Sequence, residues 1–290
     1  MMFESARTTP LHNAYGKNIH WFGKGVLYAL LIICALFMVV PFLWMLSTSL
    51  KMNQYVLSMP PRFLPQSFNL ANYVRLATIY PIGRMMFNSL FVAVITTVGQ
   101  LIIGSMAAYV FARIEFRGRN IIFLLYIATL MIPFQVTITP LFILMRYLRW
   151  INTYQGLIMP GVFSAFGVFL LRQSLLTLPR DLEEATFIDG GTHFTVYRYV
   201  SLPLIKPALA TLAVLSFMEA WNNFLWPLFV VRDEKLMTLP VGLATLHGRY
   251  LTEWNLVMAG TVITVLPMLI VFLFAQKYFV RGVALSGIKQ

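Results

Sequence analysis

The chain has 290 residues, of which 59% are hydrophobic and 11% charged, whereas an ordinary soluble domain carries about one quarter charged residues. This composition nearly excludes a soluble globular protein. The net charge is +12, and the basic residues that produce it lie mostly in segments between apolar runs. Binding of these residues to anionic lipid headgroups explains the charge, so no nucleic-acid partner is expected. The single cysteine, Cys34, excludes an intrachain disulfide and a cysteine-rich metal site.

Six apolar runs are long enough to cross a bilayer as helices, which takes about 20 residues. Along the chain they predict spans at about 26–48, 86–112, 121–143, 152–172, 206–229 and 255–277. The first run is too long for a signal-peptide core, so we expect it to be retained. Pro41, Pro133 and Pro160 are expected to kink their spans rather than end them. The predicted fold class is therefore an all-α polytopic membrane protein with six transmembrane helices.

An even number of spans places both termini on one side of the membrane, and the distribution of basic residues decides which side. Thirteen of the 22 Lys and Arg residues lie in segments that a cytoplasmic N-terminus would place inside. Arg113, Arg117 and Arg119 crowd one short turn among them. We predict both termini in the cytoplasm, with tails at 1–25 and 280–290 flanking one six-helix transmembrane domain at 26–279.

The segment between spans four and five, residues 180–203, carries signals for two short helices. Asp181 and Glu184 have the spacing of a capping box, which predicts a helix beginning there. Gly190 and Gly191 should end it, because glycine readily adopts the left-handed conformation. Thr192 can cap a second helix through about Val200, which Pro203 should end.

The first of these helices has an apolar stripe that another protein could hold. Leu182, Ala185 and Ile188 recur at roughly helical spacing. The alternative is an amphipathic helix resting on the bilayer surface. Four acidic residues count against that alternative, because basic residues would be preferred beside an anionic leaflet. They are Asp181, Glu183, Glu184 and Asp189.

Glu184-Ala185-Thr186 is followed by Gly190 four residues later and, after nine further residues, by Val200-Ser201-Leu202-Pro203. This pattern resembles the EAA loop of bacterial binding-protein-dependent ABC importers, which has an E-A-A triplet, a glycine four residues later and a closing I-x-L-P. The departures are Thr186 for the second alanine and Val200 for isoleucine. The resemblance implies an ATPase-coupling surface that comprises Asp181, Glu183, Glu184, Ala185, Thr186, Asp189, Gly190, Leu202 and Pro203.

Further motifs extend the resemblance along nearly the whole chain to the MalG-type permeases of carbohydrate ABC importers. They include Asn72-Tyr73, Asn88-Ser89-Leu90, Ala107-Ala108-Tyr109 with Ala112-Arg113, Trp221-Asn222 with Phe224 to Pro227, and Gln276, Phe279 and Gly282. The tail departs from the usual glycine ending. The resemblance implies a second permease subunit, two ATPase subunits and an extracytoplasmic solute-binding protein, in a bacterial inner membrane.

The sequence contains no motif for chemistry of its own. No G-x-x-x-x-G-K-[ST] phosphate loop, H-E-x-x-H motif or nucleophile elbow occurs, and the four histidines are scattered. We therefore predict a transport subunit that is not an enzyme and binds no cofactor or metal, with ATP and Mg²⁺ held by the partner ATPases.

Glu219 is the one ionisable residue deep within a predicted span, and Asn222 and Asn223 follow on the same helical face. This face could line the solute path and bond sugar hydroxyls, with Trp221 or Trp226 offering a ring for stacking. Alternatively, it could bond to a neighbouring span.

Two functions from different classes fit these observations. The first is the permease subunit of an ABC importer for a sugar or oligosaccharide, working by alternating access. Nine basic residues on the predicted outer side weakly indicate an anionic sugar, and a glycerol phosphodiester or polyol is the non-sugar variant. The second is an ion-coupled secondary transporter that uses Glu219, although the paired broken helices of inverted repeats are not evident in the sequence.

Overall fold

The computed structural model describes the backbone of residues 12–66, 68–245 and 252–287, and all regular structure in these ranges is helical. This confirms the predicted all-α class for the described residues. The α-helices are α1 (His12–Ser49), α2 (Asn53–Val56), α3 (Ala71–Ile79), α4 (Ile82–Arg113), α5 (Arg119–Ala128), α6 (Phe134–Tyr147), α7 (Tyr154–Val162), α8 (Ala165–Leu176), α9 (Asp181–Ile188), α10 (His193–Thr195), α11 (Leu202–Leu204), α12 (Lys206–Trp221), α13 (Leu225–Val230), α14 (Leu239–Ala244) and α15 (Trp254–Gly287). Thr129–Met131 and Glu234–Leu236 form 3₁₀ turns, and Val196–Ser201 forms a π-helical turn.

Between four and six segments of the described chain are long and apolar enough to cross a membrane. Four of them are single segments, namely Lys24–Ser49, Ile82–Arg113, Tyr154–Leu176 and Trp254–Phe274. The other two are bent pairs. Arg119–Met131 meets Phe134–Tyr147 at 103°, and His193–Leu204 meets Lys206–Trp221 at 77°.

Several predicted boundaries differ from those observed. The third span breaks at Pro133, because Ile132 before the proline takes an extended conformation that a helix cannot continue through. Helices α1 and α7 instead continue through Pro41 and Pro160, as predicted. The continuous fifth span predicted over 206–229 is wrong, since α12 ends at Trp221 before α13 begins.

The predicted tails overlap helix. Helix α1 begins within 1–25 and α15 continues to Gly287, while residues 1–11 and 288–290 lie outside the described residues. The side chain of Phe279 and the surroundings of Gly282 are not described either.

Helix α4 lies at the centre of the bundle, where it packs against α7, α8 and α12. Glycines allow the close approach of α4 to α7, since a Cβ on Gly99 would lie 2.9 Å from the Val162 side chain and one on Gly161 would lie 3.0 Å from Thr96. Helix α1 packs on α15, and its apolar side chains from Val26 to Val40 are largely exposed. Helix α4 is therefore the central helix of the bundle, and α1 lies at its periphery.

Asn88 organises the end of the bundle opposite the Arg113–Arg119 turn. Its amide donates to the carbonyls of Lys235 and Met237 at 3.0 and 2.9 Å, and its Oδ1 accepts from the Tyr154 hydroxyl at 2.7 Å. The adjacent Ser89 hydroxyl accepts from the backbone of Leu239 at 2.7 Å. Asn88-Ser89 thus holds the connection between α13 and α14 against α4 and α7.

A second asparagine ties the first long connection to the last helix. Asn72 donates to the carbonyls of Ser49 and Lys51, both at 2.8 Å, and accepts from Asn255 at 2.8 Å. Lys51 is buried, donates to the Arg62 carbonyl at 2.6 Å, and has its pKa lowered by that burial. The motif residue Asn72 therefore has a structural role in positioning α3 beside α15.

Candidate functional site: loop 180–203

The first helix of loop 180–203, α9, begins at Asp181, but without the predicted capping box. Arg180 is the N-cap residue and has helical backbone angles (φ −70°, ψ −28°), with no side-chain cap. Asp181 is therefore already inside the helix, where its side chain cannot cap the first amides. Together with Glu183 and Glu184 it places acidic charge in the first turn, which the helix dipole favours.

The glycine turn that ends α9 is confirmed. Gly190 has φ +81°, a conformation that side chains with a Cβ disfavour, and its amide donates to the Phe187 carbonyl at 3.0 Å. The Gly191 amide donates to the Thr186 carbonyl at 2.9 Å, and a Cβ there would lie 2.8 Å from that same oxygen. Position 190 therefore needs glycine for its backbone angle, and position 191 needs it for space.

Thr192 caps the second helix, as predicted. The Thr192 hydroxyl accepts from the Thr195 amide at 3.4 Å, and the Thr195 hydroxyl accepts from the Thr192 amide at 3.1 Å. The prediction that Pro203 ends this helix is wrong. The helical path passes through the π turn and continues to Leu204, with Pro203 among the first positions of α11.

The acidic residues of the loop divide into two groups. Asp181, Glu184 and Asp189 are exposed and available to a partner. Glu183 is buried, and its Oε1 lies 2.8 Å from Nε of Arg113 in an ion pair whose alignment falls short of a directed hydrogen bond. Glu183 was predicted as part of the ATPase-coupling surface; the structure corrects this, since its carboxylate faces the protein interior.

The predicted apolar stripe of α9 is open on its outer side. Ile188 is 86% exposed, Leu182 is 46% exposed, and Ala185 lies between them on the exposed face. Exposed apolar surface on an otherwise polar loop indicates an interaction site. Sequence reasoning missed the aromatic residues Phe194 and Tyr199, which are 65% and 73% exposed and extend this surface onto the second helix.

The inner side of the second helix is anchored to α4. Val196 is fully buried in a cluster that includes Ala108 and Leu171. The Tyr197 hydroxyl lies 2.8 Å from the Ser105 hydroxyl, and its ring meets that of Tyr109 edge to face with centroids 5.5 Å apart. Loop 180–203 is therefore a fixed surface feature with one exposed apolar face. Of the remaining predicted coupling residues, Pro203 is exposed, while Thr186 and Leu202 are partly buried.

The polar residues predicted for the solute path lie at the C-terminus of α12. Glu219 and Asn222 are exposed, and their side chains have no polar partner within the described part of the chain. Asn223 is partly buried and accepts from the Trp226 amide at 3.3 Å. Among the described residues, none of these three side chains therefore forms a hydrogen bond to a neighbouring span.

The two tryptophans considered for stacking are interior residues. Trp221 is 1% exposed, stacks on Phe217, and donates from Nε1 to the Thr264 carbonyl at 3.2 Å. Trp226 is 2% exposed and donates from Nε1 to the Gly156 carbonyl at 2.8 Å. In this conformation neither ring offers a free face to a solute. Within the described residues, no group of three or more His, Cys, Asp or Glu side chains could hold a metal ion.

Apolar helices packed around a central helix, several of them long enough to cross a bilayer, define a multi-pass membrane protein with an exposed two-helix loop at one end. The profile described as "Binding-protein-dependent transport system inner membrane component" matches residues 100–285. The chain therefore belongs to this family, which confirms the resemblance drawn from the EAA pattern.

Individual relatives agree with this assignment. The arabinooligosaccharides transport system permease protein AraQ of Halalkalibacterium halodurans is 40% identical over 228 residues, covering 78% of this chain and 82% of AraQ. The sn-glycerol-3-phosphate transport system permease protein UgpE of Pectobacterium atrosepticum is 39% identical over 204 residues, covering 70% and 73%. One chain of the crystal structure of a bacterial ABC transporter involved in the import of the acidic polysaccharide alginate aligns with a TM-score of 0.79 and 25% identity, over 95% of this chain and all of that chain.

Proposed function

We propose that this chain is one transmembrane subunit of an ATP-driven importer that carries a sugar or oligosaccharide across the bacterial inner membrane. The observation that carries the proposal is loop 180–203, a rigid two-helix feature with an exposed apolar face, in a chain of this family. The family assignment supports an ATP-driven importer over an ion-coupled transporter that uses Glu219. The relatives named for arabinooligosaccharide transport support a carbohydrate as the solute.

The proposed topology has six spans with both termini in the cytoplasm. Counting each bent helix pair as one crossing gives six. The basic turn at Arg113–Arg119 then lies on the same side as loop 180–203, which fits the preference of positive charge for the cytoplasm.

In the proposed mechanism, two ATPase subunits hold ATP and Mg²⁺ and bring their own surfaces together on binding nucleotide. One of them holds α9 through Leu182, Ala185 and Ile188, with Glu184 contributing a charged contact. A second permease subunit forms the other half of the path, and an extracytoplasmic solute-binding protein delivers the solute to the outer connections. This chain supplies the moving half-channel and the attachment point for the ATPase.

The proposed solute path includes Glu219, Asn222 and Asn223. Amide and carboxylate groups can bond sugar hydroxyls, and the exposed Glu219 carboxylate would repel an anionic solute. We therefore favour a neutral sugar over a phosphorylated one. Replacing Glu219 with Gln keeps hydrogen-bonding groups at this position, so uptake of a neutral oligosaccharide should stay within about threefold. Removing the negative charge should improve any uptake of a glycerol phosphodiester. A loss of all transport would contradict this assignment.

Copurification tests the attachment of the ATPase. The chain is co-expressed with the second permease and ATPase subunits encoded beside it, solubilised in mild detergent, and isolated through a tag. We expect the ATPase to copurify with the unaltered chain and to be lost from Ile188→Asp, because the substitution places a charge on the exposed apolar face of α9 that the ATPase would cover. Leu57→Asp is the control, since Leu57 is also exposed but lies in the first outer connection. Retention of the ATPase by the Ile188 variant would contradict the proposed contact.

A second substrate class, glycerol phosphate compounds, is favoured by the relatives named for sn-glycerol-3-phosphate transport. Calorimetry on the solute-binding protein encoded beside this chain separates the two classes. Binding of arabino-oligosaccharides supports the sugar, whereas binding of sn-glycerol-3-phosphate or its diesters supports the phosphate.

A further inference from the structure

Arg113, the last residue of α4, connects three segments of the chain. Its Nη2 donates to the carbonyls of Leu175 and Leu178 at 2.6 and 2.9 Å, near the C-terminus of α8. Its Nε lies 2.8 Å from Oε1 of Glu183 on α9. The side chains of Arg113 and Glu183 are only 4% and 11% exposed, so the guanidinium is removed from water and held by these contacts.

The burial of this pair makes it an anchor and not a surface ion pair. Removing one partner of a buried pair leaves the other charge without compensation, which costs far more than losing an exposed pair. The guanidinium also lies at a helix C-terminus, where the dipole of α8 favours a cation. Separating α9 from α4 would therefore leave Arg113 or Glu183 as a buried charge without its partner. This cost opposes the separation of the two helices.

Helix α4 contacts the loop along a continuous face. Ser105, Tyr109 and Arg113 follow one another at intervals of four residues and so lie on the same side of the helix. Ser105 and Tyr109 meet Tyr197 of the second loop helix, and Arg113 meets Glu183 of the first. Both helices of loop 180–203 are thus fixed to one helix that is distant from them in sequence.

The covalent connection from the loop to the next helix is less direct. Between α11 and α12 only Ile205 intervenes, and the helical path bends by 77° there. Because of this bend, a displacement of the loop helix along its axis is not directed along the axis of α12. Helix α4, in contrast, is unbroken for 32 residues and packs against α7, α8 and α12.

We infer that the Ser105–Tyr109–Arg113 face of α4, anchored by the Arg113–Glu183 pair, makes loop 180–203 and α4 move as one body, so that motion of the loop enters the helix bundle through α4. The inference rests on the proposed function, because it concerns motion that an ATPase imposes. Glu183 and Arg113 are positioning residues in this scheme: neither touches solute or nucleotide, and both keep α9 in register with the central helix.

The test measures the amount of solute transported per ATP hydrolysed. Complexes of the chain with its permease, ATPase and binding-protein partners are reconstituted in liposomes, with Glu183→Gln in this chain. We expect the ATPase to copurify normally and transport per ATP to fall by about tenfold, because the loop can move without carrying α4 along. Glu115→Gln is the matched control, since Glu115 is an exposed acid near the same turn that has no ion pair among the described residues. It should match the unaltered chain.

A double substitution, Arg113→Met with Glu183→Leu, keeps the inference testable if the single variant fails to fold, because it leaves no unpaired buried charge. We expect its loss of transport per ATP to be no greater than that of Glu183→Gln, as befits residues acting as a unit. Normal transport per ATP in Glu183→Gln or in the double variant would overturn the inference. So would single losses from Glu183→Leu and Arg113→Met that multiply in the double variant. If the unaltered complex hydrolyses ATP without moving solute, the proposed function itself fails, which is a separate outcome.

Discussion

Gly190 offers a direct test of the turn that joins the two helices of loop 180–203. Its φ of +81° is left-handed, and a Cβ built there meets nothing within 4 Å in this chain. Any cost of substitution within the chain therefore comes from the backbone and not from a steric clash. Gly190→Val should be costly because a β-branched residue disfavours this conformation, whereas Gly190→Asn should be tolerated because asparagine adopts it readily.

The expected magnitude follows from the backbone energy. A residue with a Cβ in the left-handed region costs roughly 1–2 kcal/mol, and about 1.4 kcal/mol changes a population tenfold. We expect ATP-driven uptake by reconstituted complexes to fall by about tenfold for the Val variant and to stay within about threefold for the Asn variant. Equal uptake by the Val variant and the unaltered chain would refute the argument from backbone angle. Equal loss in both variants would show instead that an ATPase surface fills the space beside Gly190.

Three further substitutions test the packing of the bundle through the midpoint of thermal unfolding in detergent. Asn88→Ala should lower the free energy of unfolding by about 3 kcal/mol, because it removes three hydrogen bonds, to the Tyr154 hydroxyl and to the Lys235 and Met237 carbonyls, at about 1 kcal/mol each; a change below about 1 kcal/mol would contradict that network. Trp226→Phe should cost about 1–2 kcal/mol by leaving the Gly156 carbonyl without its donor, and an unchanged midpoint would show that water replaces it. Arg75→Ala should change stability by less than about 1 kcal/mol, since its 2.8 Å pair with Glu253 is solvent-exposed; a larger loss would mean that this pair holds α3 to α15.

The local chemistry of loop 180–203 could be predicted where short-range geometry determines it. The glycine turn and the Thr192 cap depend on residues within four positions of one another, and both were predicted correctly. The start of α9 was correct in position but wrong in cause, because Arg180 already has helical backbone angles. Sequence spacing alone does not reveal which residue occupies the N-cap.

The burial of Glu183 could not be predicted from its neighbours. Its partner Arg113 is 70 positions earlier in the chain and meets it only after α4 and α8 have packed together. The sequence gives no reason to distinguish the four acidic residues of the loop. Only the tertiary contact with Arg113 makes Glu183 buried while Glu184 is exposed. The sequence places three arginines, Arg113, Arg117 and Arg119, after the second predicted span and four acids in loop 180–203, but it does not show which of them meet.

The break in the fifth predicted span has a similar origin. Residues 206–229 read as one apolar run, yet the helix ends at Trp221, whose indole bonds to the Thr264 carbonyl of α15. Trp226 then bonds to α7 through the Gly156 carbonyl. Two indole rings held by two different helices fix the chain direction on either side of Asn222–Phe224, and hydropathy contains no information about those bonds.

The most direct test of the central proposal is uptake of labelled oligosaccharide into liposomes that contain the complete importer and its solute-binding protein. We predict uptake that requires ATP inside the liposomes and binding protein outside, and that is abolished by Ile188→Asp in this chain. Uptake that proceeds without ATP in response to a proton or sodium gradient, and that is abolished by Glu219→Gln instead, would contradict the account.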